Sequence, residues 1–157
     1  MTQGYMADVK QKIIDLIALA DTTINGTAHV LGNWKLSNWE LENSKLPIVT
    51  IRLGTTGENE VYGRYIDPST RGAFITFPFS AHVFNSHSTT TNTLKAKKAM
   101  DLADKIVTYL EKVTFDASSG IMYFYDLSVR ESDSESGPIN YSRVIIEGFV
   151  AVRRPLA

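Results

Sequence analysis

The fold of this chain is decided by residues 72–113, GAFITFPFSAHVFNSHSTTTNTLKAKKAMDLADKIVTYLEKV. The first part alternates apolar and polar side chains with the period of a β-strand, and the last part repeats apolar side chains with the period of an α-helix. The polar run between them, Asn85 to Asn92, offers several candidate helix caps. The strand face comprises Ala73, Ile75, Phe77, Phe79, Ala81 and Val83, and the helix face comprises Ala99, Leu102, Ala103, Ile106, Leu110 and Val113. We therefore expect a helix packed across a sheet.

The flanking sequence predicts one further helix and four further strands. Helical spacing over Asp8–Ile24 indicates a first helix, with Asp8 as its N-cap and Asn25-Gly26 as its end. The strands are predicted over Ile48–Leu53 and Glu60–Ile66, which form a hairpin, over Ile121–Arg130, and around Val144, Ile146, Val150 and Val152. This order predicts an α+β fold, a mostly antiparallel sheet with two helices packed on it, in a single domain over residues 1–157.

Three features interrupt the regular patterns. Pro78 cannot donate a backbone hydrogen bond, so its strand is expected to be at an edge or bulged there. The segment Thr27 to Lys45 is irregular and contains both tryptophans. We expect a long ordered loop in which a short strand can form. Within Ile121–Arg130 the alternation places Ile121, Tyr123, Tyr125, Leu127 and Val129 together on one face, and these tyrosines are interpreted as core or subunit-contact side chains.

Composition limits the classes of function. The chain of 157 residues is long enough for one well-packed domain, and it has no cysteine, which excludes disulfides, thiolate catalysis and sulfur-ligated zinc. Sixteen Lys and Arg against seventeen Asp and Glu give a net charge of −1, so no bulk positive field favours a nucleic-acid backbone. Because neither a signal peptide nor an apolar run of roughly 20 residues is visible, we expect a soluble protein made in the cytoplasm without a membrane partner.

No residue pattern predicts catalysis or a cofactor. His82 and His87 are five positions apart and His29 is distant, which matches neither a helical pair nor a clustered set of metal ligands. No Gly-x-Ser-x-Gly motif accompanies the serines, and the glycines at 54 and 57 lack the Lys-Ser/Thr of a phosphate loop. We therefore expect no catalytic, cofactor-binding or metal-binding residue.

Two charged segments are candidate contact sites. Lys95, Lys97 and Lys98 lie at the start of the second helix, where they form either a solvated face or a patch that contacts an acidic partner. The segment from Glu131 to Pro138 contains Glu131, Asp133 and Glu135 among serines and has no apolar residue, which is typical of a solvated hairpin tip.

The order of elements resembles that of the tail terminator, or tail completion, proteins of tailed bacteriophages. The resemblance rests on the strand Phe79 to Phe84, the polar linker, the helix that includes Lys95 to Ile106, and the strand pair after it, with a first helix at Asp8 to Ile24. It extends as a pattern from Asp8 to about Arg154, and the insert Thr27 to Lys45 departs from it. The family is recognised by its layout, and it has no catalytic motif to match.

The resemblance implies a structural virion protein rather than an enzyme. It implies a homo-oligomeric ring, hexameric in this family, at the head-proximal end of the tail tube, where it ends tube growth and joins the tail to the head connector. The partners would be the tail tube protein and the connector or adaptor proteins, and DNA would pass through without specific binding. In such a ring the acidic hairpin would face the lumen or the outer rim. Another neck component, such as a head-completion adaptor, and a small ligand-binding α+β domain are the alternatives.

Overall fold

The computed structural model describes residues 5–25, 29–32, 37, 41, 45–54, 72–87, 96–113, 120–132 and 141–155. The predicted strand Glu60–Ile66 and its turns, most of the segment Thr27 to Lys45, and the hairpin tip beyond Ser132 lie outside these residues. The elements are α1 (Tyr5–Ala18), a 3-10 helix (Thr22–Ile24), β1 (Val30–Leu31), β2 (Ile48–Leu53), β3 (Gly72–Ser86), α2 (Lys97–Glu111), β4 (Ile121–Glu131) and β5 (Tyr141–Pro155). The predicted α+β class is confirmed.

The described strands form one five-stranded sheet in the order β1-β2-β3-β5-β4. The pair β1–β2 is parallel and the other pairs are antiparallel. Both helices pack on the same face, with α2 over β3, β4 and β5 and α1 over β1 and β2. The core between the layers includes Val9, Ile13, Ile17, Val49, Ile51, Phe77, Phe79, Ala81, Val83, Ala99, Leu102, Ala103, Ile106, Leu110, Val144, Ile146, Val150 and Val152. The alternation predicted for β3, in its part from Phe77 to Val83, and for β5 therefore points into this core.

The predicted bounds of the first helix are wrong at both ends. The helix begins at Tyr5, so Asp8 lies in its first turn, where a carboxylate interacts favourably with the helix dipole. It ends at Ala18, and the 3-10 helix that follows is capped by Asp21, whose Oδ1 accepts a hydrogen bond from the Thr23 N–H at 2.8 Å. This hydrogen bond is the main cause of the lowered pKa of Asp21, and Lys105 on α2 adds an ion pair at 3.0 Å.

Helix α2 has the predicted apolar face but not a polar cap. Ala96 occupies the N-cap position and makes no side-chain capping hydrogen bond. The Asn85 side chain contacts the first turn in a different way, by donating from Nδ2 to the carbonyl oxygen of Lys98, 3.5 Å away, which does not cap the helix. The end of β3 is thus connected to the start of the helix that covers it.

Pro78 lies on the side of β3 where β2 ends. Its carbonyl oxygen accepts a hydrogen bond from the Gly54 N–H at 2.7 Å, so its nitrogen also faces that side, and β2 ends at Leu53. On the other side, β3 and β5 remain in register from Gly72 to Ser86, so of the two predicted alternatives at Pro78, an edge or a bulge, the bulge is wrong. The missing N–H therefore does not interrupt the β3–β5 ladder.

Strand β4 contains register shifts that the sequence did not predict. Its pairing with β5 shifts between Ile121 and Tyr123 and again between Tyr125 and Ser128, and Asp126 has a positive φ of 53°. The second shift lies over Gly148, where a Cβ atom would be 2.7 Å from Leu127 Cδ2 and 3.0 Å from the Tyr125 carbonyl oxygen. Because of these shifts, the prediction that Ile121, Tyr123 and Tyr125 share one face is wrong.

Within the described parts of the chain, no helix is both long and apolar enough to cross a membrane.

Candidate functional site

The sheet face turned away from the helices, called here the distal face, has three bands. One end carries aromatic side chains, the middle carries charged side chains, and the other end carries buried ones. The bands follow from the register, because residues opposite one another on neighbouring strands share a face. Among the described residues outside the sheet, Leu41 and Leu46 pack on the buried end, against Phe84 and Tyr141.

The aromatic band is formed by Tyr123, Tyr125 and Phe149, and is called the aromatic patch below. The Tyr125 ring stacks on Phe149 with centroids 5.3 Å apart, and its centroid lies 5.7 Å from that of Tyr123. Pro78 lies opposite Phe149 on the neighbouring strand. Tyr123 is 49% exposed, and Tyr123 and Leu19 are the two exposed large apolar side chains among the described residues. An exposed aromatic group beside half-buried ones is typical of a protein contact surface.

The charged band contains residues from four strands. Arg52, Ser80, Glu147 and Ser128 lie opposite one another in register across β2, β3, β5 and β4. Arg130 donates from Nη2 and Nε to Glu147 Oε1, at 2.9 and 3.1 Å. Both partners of this ion pair are about half exposed, so it contributes little to stability, although it fixes a positive and a negative group beside the aromatic patch.

The buried band centres on His82 and Thr50, which are direct partners in the β2–β3 register. His82 is 7% exposed, and burial lowers its pKa to about 4, with further lowering by the charges of Arg143, Arg130 and Arg52 and an opposing effect of Glu147. Thr50 is fully buried, and its Oγ1 has no hydrogen-bond partner among the described residues. His82 is therefore neutral at pH 7 and lies buried on β3, the central strand of the described sheet.

We expect the stability of the fold to fall as His82 becomes protonated. The folded-state pKa of about 4 lies below the ordinary value of 6.5, so the contribution of neutral His82 is complete above pH 6.5 and is lost as the pH falls towards 4. The loss is on the order of 2 kcal/mol, allowing for partial screening by solvent. Urea denaturation at pH 7 and pH 4 measures it. His82→Gln is the control, and an unchanged acid-induced loss in that variant would contradict this assignment.

The other two histidines make separate structural contacts. The Nδ1–H of His29 donates to the carbonyl oxygen of Pro47 at 2.7 Å. His87 Nδ1 lies 2.7 Å from Ser142 Oγ, which connects the end of β3 to β5. The structure does not bring the three histidines together, and no group of three or more metal-ligating side chains occurs among the described residues.

The structure describes the two predicted charged contact sites in part. Lys97 and Lys98 are exposed in the first turn of α2, and Lys97 forms an ion pair with Asp101 at 2.7 Å. Lys95 lies outside the described residues. In the acidic hairpin, Glu131 is exposed at the end of β4, and the Ser132 N–H donates to the Arg143 carbonyl oxygen at 3.2 Å. Asp133 and Glu135 also lie outside the described residues.

A groove of about 400 Å³ runs between α1 and β1, at the edge of the sheet opposite β4; it is called the α1–β1 groove below. Its apolar lining comes from Ile14, Ala18, Val30 and Leu31. Lys10 Nζ donates to the Gly32 carbonyl oxygen at 2.7 Å, and Asp15 accepts a hydrogen bond from Gln11 at 3.0 Å. A second groove, of about 340 Å³, lies between the end of α1 and α2.

The sequence matches no family model and no curated protein. Its function is therefore inferred from the α+β fold, from the distal face of the sheet and from the layout of its elements.

Sequence reasoning missed that Tyr123, Tyr125 and Phe149 form a patch on the distal face. The alternation in β4 predicts the same face for the tyrosines and Ile121 because it does not account for the register shift between Ile121 and Tyr123. One signal was available: Phe149 occupies the same parity in β5 as Glu147, opposite to the core positions Val150 and Val152. An aromatic residue on the polar parity of a strand indicates a second apolar surface.

Proposed function

We propose that this chain is a structural subunit of the neck of a tailed bacteriophage. It forms a hexameric ring at the head-proximal end of the tail tube, ends tube polymerisation there, and joins the tail to the head connector. The observation that carries the proposal is a helix-covered sheet, in the order α1, then β3-α2-β4-β5, whose distal face bears an exposed aromatic patch. The layout supports the resemblance to tail terminators, and the patch provides the adhesive surface that a ring subunit needs.

The electrostatics of the chain are compatible with this role. A net charge of −1 provides no general attraction for DNA, which has to pass through the ring without binding. The acidic hairpin that begins at Glu131 is proposed to face the lumen, where its carboxylates would repel the phosphate backbone. The tail tube protein and the connector proteins are the proposed partners, and the virion neck is the proposed location.

Electron microscopy tests this function in two samples. Particles grown with an affinity-tagged copy of the chain are expected to bind a gold-labelled tag antibody at the head–tail junction. The purified protein, concentrated or mixed with tail tubes, is expected to form rings with a central hole. Absence of the label from particles would refute a virion role. A label at the neck with a single copy per particle would refute the ring and favour a different neck component.

A further inference from the structure

Two unlike apolar surfaces lie at opposite edges of the sheet. The aromatic patch belongs to β4 and β5, whereas the α1–β1 groove lies beside β1 at the other end of the strand order. The two large exposed apolar side chains lie at or near these surfaces: Tyr123 projects from the patch, and Leu19, which does not itself line the groove, directly follows the lining residue Ala18. Among the described residues, no contact within one chain explains the exposure of these two apolar side chains.

The two surfaces cannot contact each other within one subunit. Four strand spacings separate β1 from β4, which amounts to about 19 Å at the usual separation of neighbouring strands. The patch also lies on the distal face, whereas α1 covers the other face. The same separation allows the patch of one copy to reach the groove of the next.

We infer that copies of this chain associate head to tail, with the aromatic patch of one copy seated against the α1–β1 groove of its neighbour. In this arrangement the projecting Tyr123 of one copy would enter a concave site of about 400 Å³ whose apolar lining is aliphatic. A contact between two unlike surfaces is heterologous, and it closes into a ring when the rotation between copies permits. This inference rests on the proposed function, and it names the surfaces through which the ring would form.

The charges at both surfaces favour a second copy over a strongly charged partner. The patch is flanked by Arg130 and Glu147, which neutralise each other, and the groove has Lys10 and Asp15 at its rim. Neither surface presents a net field of one sign that would attract a polyanion or repel an identical neutral surface. An aromatic anchor surrounded by balanced charges is typical of a protein–protein contact.

Cysteine cross-linking tests the contact directly, because the natural chain has no cysteine. Purified Tyr123→Cys and Leu19→Cys proteins are mixed at high concentration and treated with a short bismaleimide. Both positions are exposed, so folding is expected to be unchanged. The mixture is expected to give a covalent dimer that neither protein gives alone. The double variant, which carries both Tyr123→Cys and Leu19→Cys, is expected to give a ladder of higher oligomers. In the control, Leu19→Cys is replaced by Lys98→Cys, which is exposed in the first turn of α2 and is expected to give no dimer with Tyr123→Cys.

The outcomes separate this inference from the proposed function. A dimer of Tyr123→Cys with itself would show a symmetric contact and overturn the head-to-tail arrangement. No mixed dimer would overturn the inference, and the proposed function would stand if the tagged chain is still found in rings at the neck. A mixed dimer from a chain that is absent from particles would support the contact and refute the function.

Self-association measured by sedimentation provides a second readout. Tyr123→Ala is expected to weaken it about 30-fold, the loss typical of an aromatic anchor at the centre of an interface. Tyr123→Phe retains the ring and is the matched control, with an expected change of less than about threefold. Equal affinity of Tyr123→Ala and the natural chain would contradict a role for the patch.

Discussion

Replacing Gly120 with alanine should lower the free energy of unfolding by about 3–5 kcal/mol. This is the sum of two costs, that of holding an alanine in a left-handed backbone conformation and that of overpacking. Gly120 has a φ of +78°, and a Cβ atom there would clash with the carbonyl oxygen of Arg153. That atom belongs to the β5 backbone, which cannot move away cheaply. The Gly120 carbonyl also accepts a hydrogen bond from the Arg153 N–H at 2.7 Å, so the substitution would disrupt the start of the β4–β5 pairing. Urea denaturation followed by circular dichroism measures the loss.

Gly32→Ala is the matched control for this prediction. Its added Cβ would meet Ile14 Cδ1 and Lys10 Cε at 3.5 Å, which is ordinary van der Waals contact with flexible side chains. The stability of this variant should remain within about 0.5 kcal/mol of the natural chain. If both variants lost the same stability, the effect would come from glycine replacement in general, and the proposed clash with the β5 backbone would be excluded.

Much of the fold could be predicted because its signals are local. The period of two in β3 and β5 and the helical period in α2 identify the buried side chains, since each pattern reflects which face of the element is covered. The ends of α1 were predicted less well. The apolar spacing continues from Val9 to Ile24, but Asp21 caps a separate 3-10 helix, and local spacing alone does not separate the two elements.

The candidate site was harder to predict because it depends on contacts between distant residues. The register shift between Ile121 and Tyr123 turns both tyrosines away from the face of Ile121. The second shift, after Tyr125, lies against Gly148, more than 20 positions away in sequence, and returns Leu127 and Val129 to the core face. Which face of the sheet α1 and α2 cover likewise depends on the order of the strands. The sequence predicts that aromatic side chains will be contacts, whereas the assembled sheet determines which of them form a patch.

The two faces of the sheet should respond differently to the same substitution. Phe77 is 1% exposed in the core beneath the helices and lies opposite Val150 on β5. Phe77→Ala removes most of a buried aromatic side chain and leaves a cavity between two packed layers. We expect it to lower the free energy of unfolding by about 3–5 kcal/mol.

Phe149→Ala provides the comparison on the distal face. Phe149 is half-buried and stacks on Tyr125, so its loss should cost only about 1 kcal/mol of stability. If the aromatic patch is a contact between copies, this variant should remain folded but associate more weakly in sedimentation experiments. Equal destabilisation by the two substitutions would mean that Phe149 is a core residue. The aromatic patch would then have too little exposed apolar surface to bind a neighbouring copy. A folded Phe149→Ala protein with reduced self-association would separate the surface that holds copies together from the core that holds each copy folded.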